Sequence, residues 1–120
     1  MSANRPPSRL AAAVEARLPG IFREIEADLA GLRTRFPGTV VSSWWRSKSH
    51  NERVGGAQGS QHLAGLAVDL VPPRRDWAQA AVWLRSHRWT VIDEGDHLHA
   101  QVFRASSRVA AFVKSLSRFA

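Results

Sequence analysis

Ser60-Gln61-His62-Leu63-Ala64-Gly65-Leu66-Ala67-Val68-Asp69 is the stretch on which the reading of this chain turns. It sets an imidazole and a carboxylate seven residues apart. Gly65 and Ala67 lie between them, small enough for backbone and a bound ion to come close. Leu66 to Val71 reads as a short apolar strand, stopped by Pro72-Pro73. Asp69 therefore falls inside a buried strand, where a bare carboxylate costs several kcal/mol unless it is neutralised. Two remedies are open: a metal ion, or an ion pair with an Arg.

Asp96-His97-Leu98-His99 offers a second carboxylate and two more imidazoles. It lies where Trp89–Ile92 and Leu98–Phe103 read as two strands joined by the turn Asp93-Glu94-Gly95-Asp96. His99, on the strand facing Asp69, is positioned to join His62 and Asp69. Two His and an Asp close three positions around a zinc ion and leave a fourth for water. Asp96, three residues before His99, is placed to take a proton from that water. His97 shares the face of His99 by strand alternation, so it can ligate, polarise substrate or steady a tetrahedral intermediate. A second register, His97 as ligand with Glu94 as base, has the same spacing, and spacing alone does not separate the two. His50 and His87 lack acidic partners at ligand spacing and read as surface residues.

Around these stretches the chain reads as scaffold. After a polar leader, Leu10, Val14 and Leu18 recur at helical spacing, with Ser8 as the expected cap and Pro19-Gly20 as the stop. Ile21, Phe22, Ile25, Leu29, Leu32 and Phe36 form the apolar face of a second helix, ended by Pro37-Gly38. Thr39 to Trp45 is β-branched and aromatic and reads as a strand; Arg46 to Gly59 reads as a loop with a tight turn at Val54-Gly55-Gly56-Ala57. Arg74 to His87 reads as a helix covering a sheet, and Ser106 to Phe119 as a last amphipathic helix packed on the domain. The expected fold class is α+β, a small, mainly antiparallel sheet with packed helices. The expected division is a helical part over 1–37, the sheet and metal site over 38–103, and a C-terminal helix over 104–120.

The 120 residues suffice for one domain with a single core. With no cysteine, disulfides and Cys-based zinc sites are excluded, and any metal must sit on His, Asp or Glu. Lys and Arg number 17 against 10 acids, a net charge of +7 that favours polyanions such as the phosphate-bearing polymers of a cell envelope. No helix with clustered Lys and Arg and no aromatic-basic sheet motif points to nucleic acid. No run is long enough to span a membrane, and the first twenty residues do not read as a signal peptide. A monomer is expected.

Ser60-x-His62-x-x-Gly65-x-Ala67-x-Asp69 followed by Asp96-His97-Leu98-His99 resembles the zinc D-Ala-D-Ala carboxypeptidase family. That family includes vancomycin-resistance dipeptidases and phage L-alanyl-D-glutamate endolysins, and shares its fold with the hedgehog signalling domain. Trp45-Arg46-Ser47, His50-Asn51 and Val54-Gly55-Gly56-Ala57 resemble its small phage and bacterial branch. The likeness runs from about Thr39 to Val102. It implies His62, Asp69 and His99 as zinc ligands, Asp96 as catalytic base, and Arg46 as the group that binds the substrate carbonyl or carboxylate. It further implies that Ser60 positions substrate and that His97 aids catalysis. Trp44-Trp45 departs from the Gly-Tyr common in that branch, which bears on pocket shape. The implied activity is hydrolysis of peptidoglycan stem or cross-link peptides by a lysis enzyme made in the cytoplasm and acting at the wall after lysis or on a virion. The rival is a zinc-stabilised binding module of the same fold without catalysis.

Overall fold

A computed structural model describes residues 4–120. Two helices open the chain: α1, Ser8–Arg17, and α2, Ile21–Arg35. Their apolar residues fall at the spacing that makes one continuous stripe, and Leu10, Val14, Phe22, Ile25, Leu29 and Leu32 are all buried. Each such burial stabilises the fold by about 1.5–3 kcal/mol. Ser8 is not the cap of α1. Pro7 occupies that position and offers no side-chain bond, and Ser8 is the first helical residue. Gly20 joins the two helices in the left-handed region, at φ 78°. There the Glu15 carboxylate accepts from the backbone N–H of Gly20 (2.7 Å) and Phe22 (3.2 Å), serving the donors at the head of α2.

Next come strand β1, Val40–Ser43, and helix α3, Lys48–Arg53. The expected strand over 39–45 is shorter because Trp44 turns into the core, where its indole N–H donates to the Gly65 carbonyl at 2.8 Å. The expected loop over 46–59 contains α3, a correction. Ser47 caps it, its Oγ accepting from the His50 N–H, and Asn51 faces inward, fully buried.

A 3₁₀ turn at Gln61–Ala64 leads into β2, Ala67–Val71. A short 3₁₀ segment, Arg74–Asp76, then starts helix α4, Trp77–Ser86. Strands β3, Thr90–Asp93, and β4, Leu98–Gln101, form a hairpin, and α5, Ser107–Ser117, closes the fold with Ser106 as its cap. The four strands make one antiparallel sheet in the order β1-β2-β4-β3. The α+β class with a small antiparallel sheet is therefore as expected.

Alternation sorts the sheet into two faces. Val68, Leu70, Leu98, Ala100 and Val91 belong to the same buried core as Ile25, Leu29, Ala80 and Leu84 of α2 and α4. The other face carries the polar set. Asp69 pairs directly with His99, and Ala67 with Gln101, across β2 and β4. Ile92 of β3 lies on the far side of His99. A two-residue alternation and one register thus bring residues thirty positions apart into contact. Among the described residues, no helix is long and apolar enough to cross a membrane.

Candidate metal centre

Three segments converge on the polar face of the sheet. The 3₁₀ turn brings His62. Ser60 starts that turn by accepting the His62 N–H on its Oγ at 3.3 Å. Gly65 ends it at φ 73°, a conformation costly for any residue with a side chain. A Cβ there would also stand 2.8 Å from Pro6 Cδ and Cγ. The glycine of the motif is thus needed twice, for its dihedral and for the space it leaves. The neighbouring segment then locks the turn, since Arg46 N–H donates to the His62 carbonyl at 3.0 Å.

His62 is 1% exposed, and its Nδ1–H donates to the Trp44 carbonyl, so Nε2 faces the carboxylate of Asp69. Oδ1 of Asp69 lies 3.1 Å from His62 Nε2 and 3.1 Å from His99 Nδ1. Donors held about 2.0–2.1 Å from a tetrahedral zinc stand about 3.3 Å from one another. All three donor atoms lie within 4.8 Å of one another, so the spacing fits such an ion with small adjustment. The donor set, two imidazoles and one carboxylate, also fits zinc chemically.

Oδ2 of Asp69 is held by Arg46 at 2.6 Å, and Arg46 Nε donates to Ser43 Oγ at 3.2 Å. Both remedies for the buried carboxylate are therefore present: an Arg on one oxygen, imidazoles that could share a metal on the other. Burial pushes the Asp69 pKa up. Hydrogen bonds from His62 and His99, with the positive charge of Arg46, outweigh it and hold the carboxyl below its usual range. Burial likewise pushes His99 down, but its hydrogen bonds to Asp69 and Gln101 and the charges of Asp69 and Glu94 leave it raised.

His97 stands just before β4, with Nε2 3.7 Å from Asp69 Oδ1. It approaches the centre but lies farther out than His99, and the tightest three-donor group is made with His99. Asp96 does not enter the cleft. Its side chain is 88% exposed and accepts from His97 Nδ1–H at 2.6 Å, so it reaches the centre through that ring. Glu94 lines the cleft, and its N–H donates to the His97 carbonyl, closing the hairpin turn. His50 and His87 are exposed and do not line the cleft, and His87 is stacked on Trp83.

The centre forms the floor of a cleft of about 680 Å³. The Gly55–Ser60 segment and Ile92 contribute to its walls, as do Ser106, Val109 and Ala110 at the head of α5. Two glutamines passed unnoticed in the sequence. Gln61 clamps the backbone of Phe103, donating to its carbonyl at 2.7 Å and accepting its N–H at 2.9 Å, which ties the run into α5 to the His62 turn. Gln101 accepts from His99 Nε2–H at 2.8 Å. Both are uncharged, so only their places in the fold reveal them.

Two imidazoles and a carboxylate on the floor of an open cleft could hold a metal ion, and the same donor set serves hydrolytic zinc enzymes, which keep one coordination position free. The family model described as Peptidase M15 matches residues 9–102, and the chain belongs to that family. It is accordingly a zinc metallopeptidase by membership. Comparison with curated proteins and with solved structures returns no match.

Proposed function

We propose that this chain hydrolyses stem or cross-link peptides of peptidoglycan, as a D,D-carboxypeptidase or an L-Ala-D-Glu endopeptidase, in phage or prophage lysis of a cell wall. One observation carries the proposal: the donor atoms of His62, Asp69 and His99 lie within 4.8 Å of one another and all three residues line a cleft of about 680 Å³. The net charge of +7 favours approach to an anionic wall.

His62 Nε2, Asp69 Oδ1 and His99 Nδ1 would hold the zinc. Bound there, zinc supplies Lewis acidity toward a peptide carbonyl and toward water. Asp96 and His97 form the proton-handling pair. Asp96 fixes the His97 ring through Nδ1 and turns Nε2 toward the cleft. The pair takes a proton from the attacking water and returns it to the leaving amine as the C–N bond breaks. Arg46 uses one donor on Asp69 and one on Ser43, and a guanidinium has five. Its remaining N–H groups stabilise the negative charge that develops on the carbonyl oxygen. Ser60 contributes by holding the His62 turn at the cleft wall.

The test is incubation of the zinc-loaded protein with purified peptidoglycan, with and without a chelator, followed by mass spectrometry of released fragments. Fragments are expected only where zinc is retained, and their masses name the bond cut. Intact peptidoglycan in the presence of bound zinc would favour the non-catalytic binding module instead.

A further inference from the structure

We infer that Gln101 is a positioning residue for the metal centre: it selects Nδ1 of His99 as the nitrogen presented to the ion. The inference rests on the zinc reading above. An imidazole can ligate through either nitrogen, and which one does is set by the hydrogen bond that the other makes. His62 and His99 present opposite atoms, Nε2 and Nδ1 respectively, to the same carboxylate oxygen. In His62 a main-chain acceptor, the Trp44 carbonyl, engages Nδ1. In His99 the acceptor is a side chain, Gln101 Oε1 at 2.8 Å from Nε2.

The fold explains why this glutamine can serve. His99 and Gln101 are two apart on β4 and so share a face. Ala67 is the cross-strand partner of Gln101, and its single methyl leaves the glutamine free to lean along the strand toward His99. Gln101 is only 7% exposed, so water competes poorly for the Nε2–H. An amide oxygen accepts without carrying charge. It fixes the ring while adding no negative charge beside Asp69, whose carboxylate already supplies one.

The test is zinc affinity by competition with a chromophoric chelator, on the full chain. Gln101→Leu fills the same volume without an acceptor and is expected to weaken zinc binding about 10–100-fold. Gln101→Glu restores an acceptor and is expected to bind within a few-fold of the parent. Should the leucine variant not fold, nitrogen-15 NMR of the zinc-loaded parent decides: Nδ1 is expected to be the bound atom, with a slowly exchanging proton on Nε2. Parent-like affinity in a folded Gln101→Leu, or Nε2 ligation in the parent, overturns the inference and leaves the zinc reading standing. A parent that takes up no zinc overturns both.

Discussion

Arg46 holds Oδ2 of Asp69 at 2.6 Å, and by doing so turns Oδ1 toward His62 and His99. The guanidinium thus orients the carboxylate, leaving one oxygen to face the two imidazoles, as well as balancing its charge. Replacing Arg46 with Met leaves that buried oxygen without its partner, a cost of about 1–3 kcal/mol. The metal-free variant is expected to lose that much in urea unfolding, and to bind zinc less tightly because the carboxylate is free to rotate. Unchanged unfolding midpoint and unchanged zinc affinity would show the contact to be incidental.

The centre couples protons to stability in opposite senses at its two ends. Asp69 is held below its usual range, so its contribution is present above about pH 3.9 and is lost as acid protonates it. His99 is raised, so its contribution is complete below about pH 6.5 and fades as pH climbs through the folded value. In metal-free protein, the stability advantage of the parent over His99→Gln is expected to shrink as pH rises from 6 to 9. Zinc reverses the sign, because it requires the imidazole unprotonated. With zinc in excess, the same advantage is expected to grow over that range. Thermal melts of both proteins, with zinc and with chelator, check this, and a metal-free advantage that grows with pH would contradict it.

Asp96 lies on the surface and touches the centre only through His97. Removing its carboxylate should therefore spare fold and metal while loosening the ring. Asp96→Ala is expected to stay within about 0.5 kcal/mol of the parent in stability. It should bind zinc as the parent does and cleave peptidoglycan about 10²–10⁴-fold more slowly. Cleavage at the parental rate would remove Asp96 from the proton-handling pair.

The parts of this molecule that follow from spacing were legible in advance. Leu10 and Val14, and Ile25, Leu29 and Leu32, mark their helices because apolar side chains at a 3.6-residue period have one face to bury. His62, Asp69 and His99 stood out because a carboxylate in an apolar strand needs an explanation and the imidazoles supply one. Helix α3 did not, since six polar residues show no period and only the Ser47 cap announces it. Nor did the outward turn of Asp96, which depends on a side-chain torsion that strand alternation does not specify. Gln61 and Gln101 act through uncharged amides whose partners lie on other segments or two residues away on one strand, and composition carries no trace of such bonds.

The most direct measurement is a crystal structure of the protein grown with zinc, with anomalous data at the zinc edge. One ion is expected, bonded to His62 Nε2, Asp69 Oδ1 and His99 Nδ1, with a fourth position open to the cleft. An ion bound elsewhere, or these three side chains turned apart in the presence of zinc, would contradict the account.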